Sequence, residues 1–120
     1  MATATPQPPA LAPQASLLLD ILHRIQKIDP EFPIQYAICL IVVSQQEGIS
    51  ITHLAEKSGL ALSTVSRIVG ALSDYRQLGQ PYGFIEVKVS PQERRRKELY
   101  LTNLGKSSLK EILHPLEKLV

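Results

Sequence analysis

The sequence contains one cysteine, two phenylalanines and no tryptophan among its 120 residues. A lone cysteine excludes a disulfide framework and a multi-cysteine zinc site, which is typical of a protein in a reducing cytoplasm. The longest apolar run, residues 36–43, is too short to cross a bilayer. Residues 1–15 carry no charge and contain four prolines, so they lack both parts of a secretory signal. We therefore expect a cytoplasmic protein without membrane contact and a disordered Ala/Pro-rich tail at 1–15.

The rest of the chain, 16–120, has the length and composition of one globular domain, with 44% hydrophobic and 20% charged residues overall. The net charge of +2 does not by itself indicate a nucleic-acid binder. Its distribution is more informative, because residues 51–106 contain nine basic and five acidic side chains. Positive charge is therefore concentrated in the same part of the chain as the motifs described next.

Hydrophobic periodicity predicts a mainly α fold with a small β-hairpin (α+β). Ser16, Thr52 and Thr102 are candidate N-caps, and Ile49–Ile51 is predicted to be a short extended link. Pro115 should bend or end the last helix near Leu113. The predicted elements are helices at 16–28, 34–47, 52–59 and 62–74, strands at 85–89 and 98–102, and a final helix at 104–119.

Residues 51–68 carry the spacing of a helix-turn-helix. Ala55 is small where two helices must cross closely, and Gly59 supplies the positive φ of a sharp turn. The second helix is predicted to bury Leu62, Val65, Ile68, Val69 and Leu72. Its outward side would then present short hydroxyls and a guanidinium that suit DNA phosphates and base edges in the major groove. These candidate DNA-binding residues are Ser63, Thr64, Ser66 and Arg67.

A run of four cations follows, at the tip of the predicted hairpin: Arg94, Arg95, Arg96 and Lys97. Taken alone, such a run is often a solvated turn. Directly after a helix-turn-helix it instead favours a wing that contacts phosphates or enters a narrow minor groove. We therefore expect double-stranded DNA as the partner.

These motifs resemble the multiple-antibiotic-resistance-regulator (MarR) family of winged-helix proteins over about residues 34–110. The residues that carry the resemblance are Leu54-Ala55, Thr64–Arg67, Gly83–Glu86, Pro91–Arg95, Leu101-Thr102 and Gly105. The resemblance implies a homodimeric transcription regulator, usually a repressor, in which residues 34–103 form the DNA-binding core. It further implies that Arg95 enters the minor groove and that Glu93 orients the wing. Two departures are Glu93, where Asp is more usual, and a longer link between Leu72 and Gly83.

The terminal helices at 16–28 and 104–119 each carry an apolar stripe that a core of this size would cover only in part. We expect a two-fold contact between two chains to bury the rest of these stripes. Such a dimer also matches palindromic half-sites. The predicted dimerisation residues are Leu18, Ile21, Leu22, Ile25, Leu109, Ile112, Leu113 and Leu116.

Other chemistry has little support in the sequence. Cys39 lies in an apolar run, which favours a buried structural thiol over a redox sensor. The three histidines lack metal-ligand spacing, and no nucleophile–base pair or phosphate loop is visible, so we expect no metal, no cofactor and no enzyme activity. His23, Phe32 and Tyr36 are candidates to line the space where some MarR-type regulators bind phenolic effectors, although core packing is the more frequent role for such residues.

Three functions remain open at this point. The leading prediction is a dimeric, sequence-specific DNA-binding regulator acting as a repressor, associated with the nucleoid of a prokaryotic or phage-infected cell. The second is a winged-helix protein-interaction module, such as an anti-repressor or assembly factor, that does not read DNA. The third is a replication or partition protein that binds DNA without regulating a promoter.

Overall fold

The computed structural model describes residues 11–74 and 79–119. Within these ranges the chain forms α-helices around a small antiparallel sheet, which confirms the predicted fold class. The elements in chain order are α1 (Leu11–Ile28), α2 (Ile34–Gln45), β1 (Ile49–Ser50), α3 (Ile51–Ser58), α4 (Leu62–Leu72), β2 (Ile85–Val89), β3 (Lys97–Leu101), α5 (Asn103–Leu113) and a closing 3₁₀ helix (His114–Leu119).

Helix α1 begins at Leu11, so the prediction of a disordered segment through residue 15 and an N-cap at Ser16 was wrong. The prediction excluded a helix there because of Pro13. A proline is nevertheless tolerated in the first turn of a helix, where the backbone N–H has no hydrogen-bond partner within the helix. Residues 1–10 of the predicted tail lie outside the described part of the chain. None of the α1 side chains is buried. The helix is held to α5 by Arg24, whose guanidinium donates to the backbone oxygen and the carboxylate of Glu111 at 3.0 and 2.7 Å.

Helix α2 lies at the centre of the core, where Cys39, Leu40 and Val43 are fully buried. Burial raises the pKa of the Cys39 thiol from 9.0 to about 11. The thiol therefore stays protonated at neutral pH, as expected of a structural rather than a reactive cysteine.

The turn of the helix-turn-helix is built as the sequence predicts. Gly59 has φ +74°, and its N–H donates to the carbonyl of Ala55 at 3.0 Å. The cap of α3 was predicted wrongly: Ser50, not Thr52, accepts the N–H of His53 at 3.1 Å, so the helix begins at Ile51. Helix α4 buries four of its five predicted core residues, but Leu62 is 51% exposed.

The sheet has three strands in the order β1-β3-β2, rather than the two of the predicted hairpin. The predicted link at residues 49–51 contributes β1, where Ile49 pairs with Leu99 and Ser50 with Glu98. A two-residue strand is too short to show an alternating pattern, so only the tertiary structure reveals it. Strands β2 and β3 pair along their full length, from Ile85 with Leu101 to Val89 with Lys97.

The C-terminal part of the chain packs on the root of this hairpin. Thr102 caps α5 as predicted, because its hydroxyl oxygen accepts the N–H of Gly105 at 2.9 Å. The same hydroxyl donates to the carbonyl of Gly83 at 2.7 Å, which ties α5 to the chain entering β2. Helix α5 ends at Leu113, and the chain continues as a 3₁₀ helix through Pro115, as that proline predicts.

Candidate nucleic-acid interface

Helix α4 presents its polar side outward. Ser63, Ser66 and Arg67 are exposed and Thr64 is half-buried, while Val65 and Ile68 on the opposite side are fully buried. The apolar side therefore fixes the orientation of the helix against α2 and α3, and short hydroxyls and one guanidinium remain accessible. This is the arrangement that a recognition helix requires to contact base edges.

The second cationic element is the tip of the β2–β3 hairpin, residues 90–97, which we call the wing tip. Its side chains Arg94, Arg95, Arg96 and Lys97 are all exposed. Within residues 11–74 and 79–119 none of them forms an ion pair. Four cations without an ion-pair partner repel one another on this turn, where Glu93 is the one acidic residue, and a polyanion bound there would relieve the repulsion.

The wing tip is closed by Ser90, a residue that the sequence analysis missed. Ser90 is 4% exposed, and its hydroxyl oxygen accepts the N–H groups of Gln92 and Glu93, each at 3.3 Å. Its own N–H donates to the carbonyl of Arg96 at 2.8 Å, across the turn. The Ser90-Pro91 pair is a turn-initiating signal that could have identified it.

Glu93 contributes to this turn through its backbone, whose carbonyl accepts the N–H of Arg96 at 3.0 Å. Its carboxylate makes no hydrogen bond or ion pair within the described ranges. Orientation of the wing by the Glu93 side chain, which the family resemblance implies, therefore stays a prediction. In this structure the shape of the turn depends on Ser90.

The hairpin below the tip is braced on its outer side. Lys88 lies over the ring of Tyr100, with Nζ 5.0 Å from the ring centroid, and the Tyr100 hydroxyl donates to Glu98 at 3.1 Å. The hydrogen bond to Glu98 and, as a smaller cause, desolvation raise the pKa of Tyr100 above its usual value. The predicted apolar side of β2 is buried only at Ile85, because Val87 and Val89 extend beyond the core and are 37% and 57% exposed.

An open groove of about 780 Å³ separates the helix-turn-helix from the wing tip. One wall is formed by the N-terminal end of α3 and by Leu62 and Ser66 of α4; the other is formed by Glu93, Arg95, Arg96 and Lys97. The structure thus brings Ser66 and three of the four wing cations to the same groove. The predicted residues Ser63, Thr64, Arg67 and Arg94 do not line it.

The predicted dimerisation residues do not form one free surface. Leu18 and Leu22 of α1 are 57% and 44% exposed, and Ile21 and Ile25 are half-buried. On α5, by contrast, Leu109 and Ile112 are buried within their own chain at 5% and 4% exposure, and the predicted stripe there is not free for a partner. Leu113 and Leu116 are half-buried. The sequence shows that α5 is apolar on one side but not that this side packs intramolecularly.

A second cavity, of about 440 Å³, lies between α1 and the start of α2. Of the three residues considered for an effector space, His23 and Phe32 line this cavity together with Leu19, Leu22 and Ile34. Tyr36 does not; it packs edge-to-face on Phe32 and Tyr82, with ring centroids 5.9 and 6.2 Å apart. Tyr82 in turn donates its hydroxyl to Asp29 at 2.7 Å, which joins the end of α1 to the entry of β2.

Neither a metal site nor a membrane span is found within residues 11–74 and 79–119. No group of three or more His, Cys, Asp or Glu residues there is arranged to hold a metal ion. No helix in these ranges is long and apolar enough to span a membrane.

Comparisons with known proteins identify the helix-turn-helix and the fold. The IclR helix-turn-helix domain family matches residues 41–81, which contain α3 and α4. No curated protein matches the chain by sequence.

Solved structures match much more of the chain. The RV1404 structure from Mycobacterium tuberculosis superposes with a TM-score of 0.71 at 21% identity, over 90% of this chain and 69% of that one. The S. aureus MepR–DNA complex superposes with a TM-score of 0.72 at 16% identity, over 88% of this chain and 80% of that one. The MarR structure superposes with a TM-score of 0.63 at 23% identity, over 92% of this chain and 77% of that one. The chain therefore has the winged helix-turn-helix fold of the MarR-type regulators.

Proposed function

We propose that this protein is a DNA-binding transcription regulator that acts as a dimer and represses transcription by occupying a palindromic site. The observation that carries the proposal is the groove between the helix-turn-helix and the wing tip, with the exposed hydroxyls of Thr52 and Ser66 on one wall and Arg95, Arg96 and Lys97 on the other. The MepR structure superposed above was solved as a DNA complex, which supports the same use of the fold here.

The order of α4, the groove and the wing tip matches the way a winged helix contacts duplex DNA. A recognition helix enters the major groove, and a cationic β-turn reaches the adjacent minor groove. The sugar-phosphate strand between the two grooves would then pass beside the wing tip, and the first turn of α4 would lie on the major-groove side of that strand. Cations on the wall of this passage would neutralise phosphates, and the α4 side chains would contact base edges. Arg67, which is exposed outside the passage, is the residue best suited to a bidentate contact with guanine.

Dimerisation would cover the apolar surface of α1. Leu18, Leu19 and Leu22 are each between 44% and 57% exposed, and Ile34 across the α1–α2 cavity is 72% exposed. Each large apolar side chain left in water forgoes roughly 1.5 kcal/mol or more of burial free energy. A two-fold contact of this surface with itself would recover that free energy and would place two α4 helices for two half-sites. The proposed interface therefore keeps the predicted α1 residues, leaves out the buried α5 residues and adds the start of α2.

In vitro selection from a random duplex library tests the proposed function, and we expect it to enrich a palindromic site. Arg67→Ala should then bind the selected duplex about 10-fold more weakly and lose its preference at one base pair per half-site, because a bidentate contact contributes about 1–3 kcal/mol of discrimination. Lys110→Ala removes a cation from the exposed side of α5 and is the matched control. Failure to enrich any duplex would refute the proposal and favour a protein-interaction module.

Sedimentation equilibrium tests the interface. At micromolar concentration the wild type should sediment at twice the 13.3 kDa of one chain. Leu18→Gln combined with Leu22→Gln should weaken self-association at least 10-fold, because two apolar side chains lose their burial at the contact. Leu104→Gln, at a site 54% exposed on α5, should leave it unchanged. A wild type that remains a monomer would refute the dimer.

A further inference from the structure

Leu62, the first residue of α4, is more exposed than its sequence position predicts. It falls on the same helical stripe as the buried residues Val65 and Val69, yet its side chain is 51% exposed whereas theirs are 0% and 3%. The core ends one turn short of the helix N-terminus. The side chain therefore projects from the edge of the core instead of being covered by it.

The surface that Leu62 reaches is the groove between the helix-turn-helix and the wing tip. Leu62 lines this groove beside Ser66, which lies one helical turn further along the same side, and opposite Arg95 and Lys97. Scattered exposed leucines are common on protein surfaces and need no special role. Leu62 differs from them because, apart from Ile51, the other residues that line the groove are polar or charged. It also lies on the first turn of the proposed recognition helix, the part that contacts base edges.

We infer that Leu62 reads the 5-methyl group of a thymine in the major groove, an inference that rests on the DNA-binding function proposed above. A leucine side chain can neither donate nor accept a hydrogen bond, so it cannot read the polar edges of guanine, cytosine or adenine. The thymine methyl is the apolar group that a base pair presents in the major groove. Arg67 and the α4 hydroxyls would read polar edges, and Leu62 would specify thymine at one position of each half-site.

The test is a deoxyuridine scan of the selected duplex, in which each thymine is replaced in turn by deoxyuridine, which lacks only the methyl group. For the wild type, deoxyuridine at one position per half-site should lower the affinity about three- to fivefold. This factor corresponds to the burial free energy of one methyl group, about 0.8 kcal/mol. In Leu62→Ala this loss of affinity should disappear. The deoxyuridine removes the methyl group and the alanine removes the side chain that contacts it, so both changes abolish the same contact. The variant should still fold, since the side chain is half in water.

Two variants control the scan. Leu104→Ala removes an equally exposed leucine from α5, 54% against 51%, and should retain the wild-type sensitivity to deoxyuridine. Thr64→Ser removes a methyl group from a candidate DNA-binding residue of α4 and so tests the rival thymine contact; if Leu62 makes the contact, the deoxyuridine sensitivity stays at the same position in this variant. Equal sensitivity in the wild type and Leu62→Ala, or its loss in Thr64→Ser instead, would overturn the inference while leaving the DNA-binding function intact. If the wild type selects no duplex at all, the proposed function fails and the inference fails with it.

Discussion

Replacing Arg94, Arg95 and Arg96 together with glutamine is expected to weaken binding to the selected duplex about 100-fold at 0.15 M salt for each wing that contacts DNA. These side chains are exposed on the wing tip and have no ion-pair partner within the described ranges, so their charge is available to phosphates. Each neutralised phosphate releases about 0.9 counterion, so the slope of log K against log salt should fall by up to about 2.7 per wing. Binding titrations at several salt concentrations measure both quantities.

A matched variant separates local contacts from the overall charge. Lys106, Lys110 and Lys118 are exposed on α5 and the 3₁₀ helix, away from the groove. Replacing all three with glutamine removes the same three charges, yet it should change the affinity by less than about threefold because distant surface charges are screened at this salt. Equal losses in the two triple variants would mean that net charge alone drives binding and that the wing makes no specific contact.

Gly105→Ala is expected to destabilise the fold by about 3 kcal/mol or more. A Cβ built on Gly105 would lie 2.1 Å from the backbone oxygen of Phe84 and 3.0 Å from its carbonyl carbon. The same oxygen already accepts the N–H of Thr102 at 3.0 Å, so it cannot move away without breaking this hydrogen bond between Phe84 and the N-cap of α5. The clash is with backbone, and no change of rotamer relieves it.

The sign of this effect is diagnostic, because alanine in place of glycine normally stabilises the interior of a helix by up to about 1 kcal/mol. Ser107→Ala, two residues further along α5 at an exposed position, is the control and should be neutral or slightly stabilising. Urea unfolding measures both variants. Wild-type stability in Gly105→Ala would show that α5 does not pack closely on Phe84.

Residues whose role is local could be predicted from the sequence. Gly59 supplies a positive φ, Thr102 caps a helix, and Pro115 ends one, because each effect depends on the residue itself and on its immediate neighbours. The outward side of α4 was predictable for a related reason, since the helical period separates Ser63 and Arg67 from Val65 and Ile68.

Features that depend on distant partners could not be predicted. The strand β1 exists because Ile49 meets Leu99, fifty residues away along the chain. The stripe of α5 looks like a free interface until Leu109 is seen in the core of its own chain. Periodicity likewise assigns Leu62 to the buried side of α4, and only the tertiary structure shows that the core stops before it. The candidate site was therefore predictable as a list of polar side chains but not as a groove.

NMR mapping of a bound duplex tests most directly whether α4 and the wing tip act together as one DNA-binding surface. Amide chemical shifts of the labelled protein would be followed while the selected duplex is added. We predict that the largest changes fall in residues 61–67 and 90–97, with small changes on the exposed side of α5. Changes concentrated on α1 and the start of α2, with the signals of α4 and the wing tip unmoved, would contradict the account.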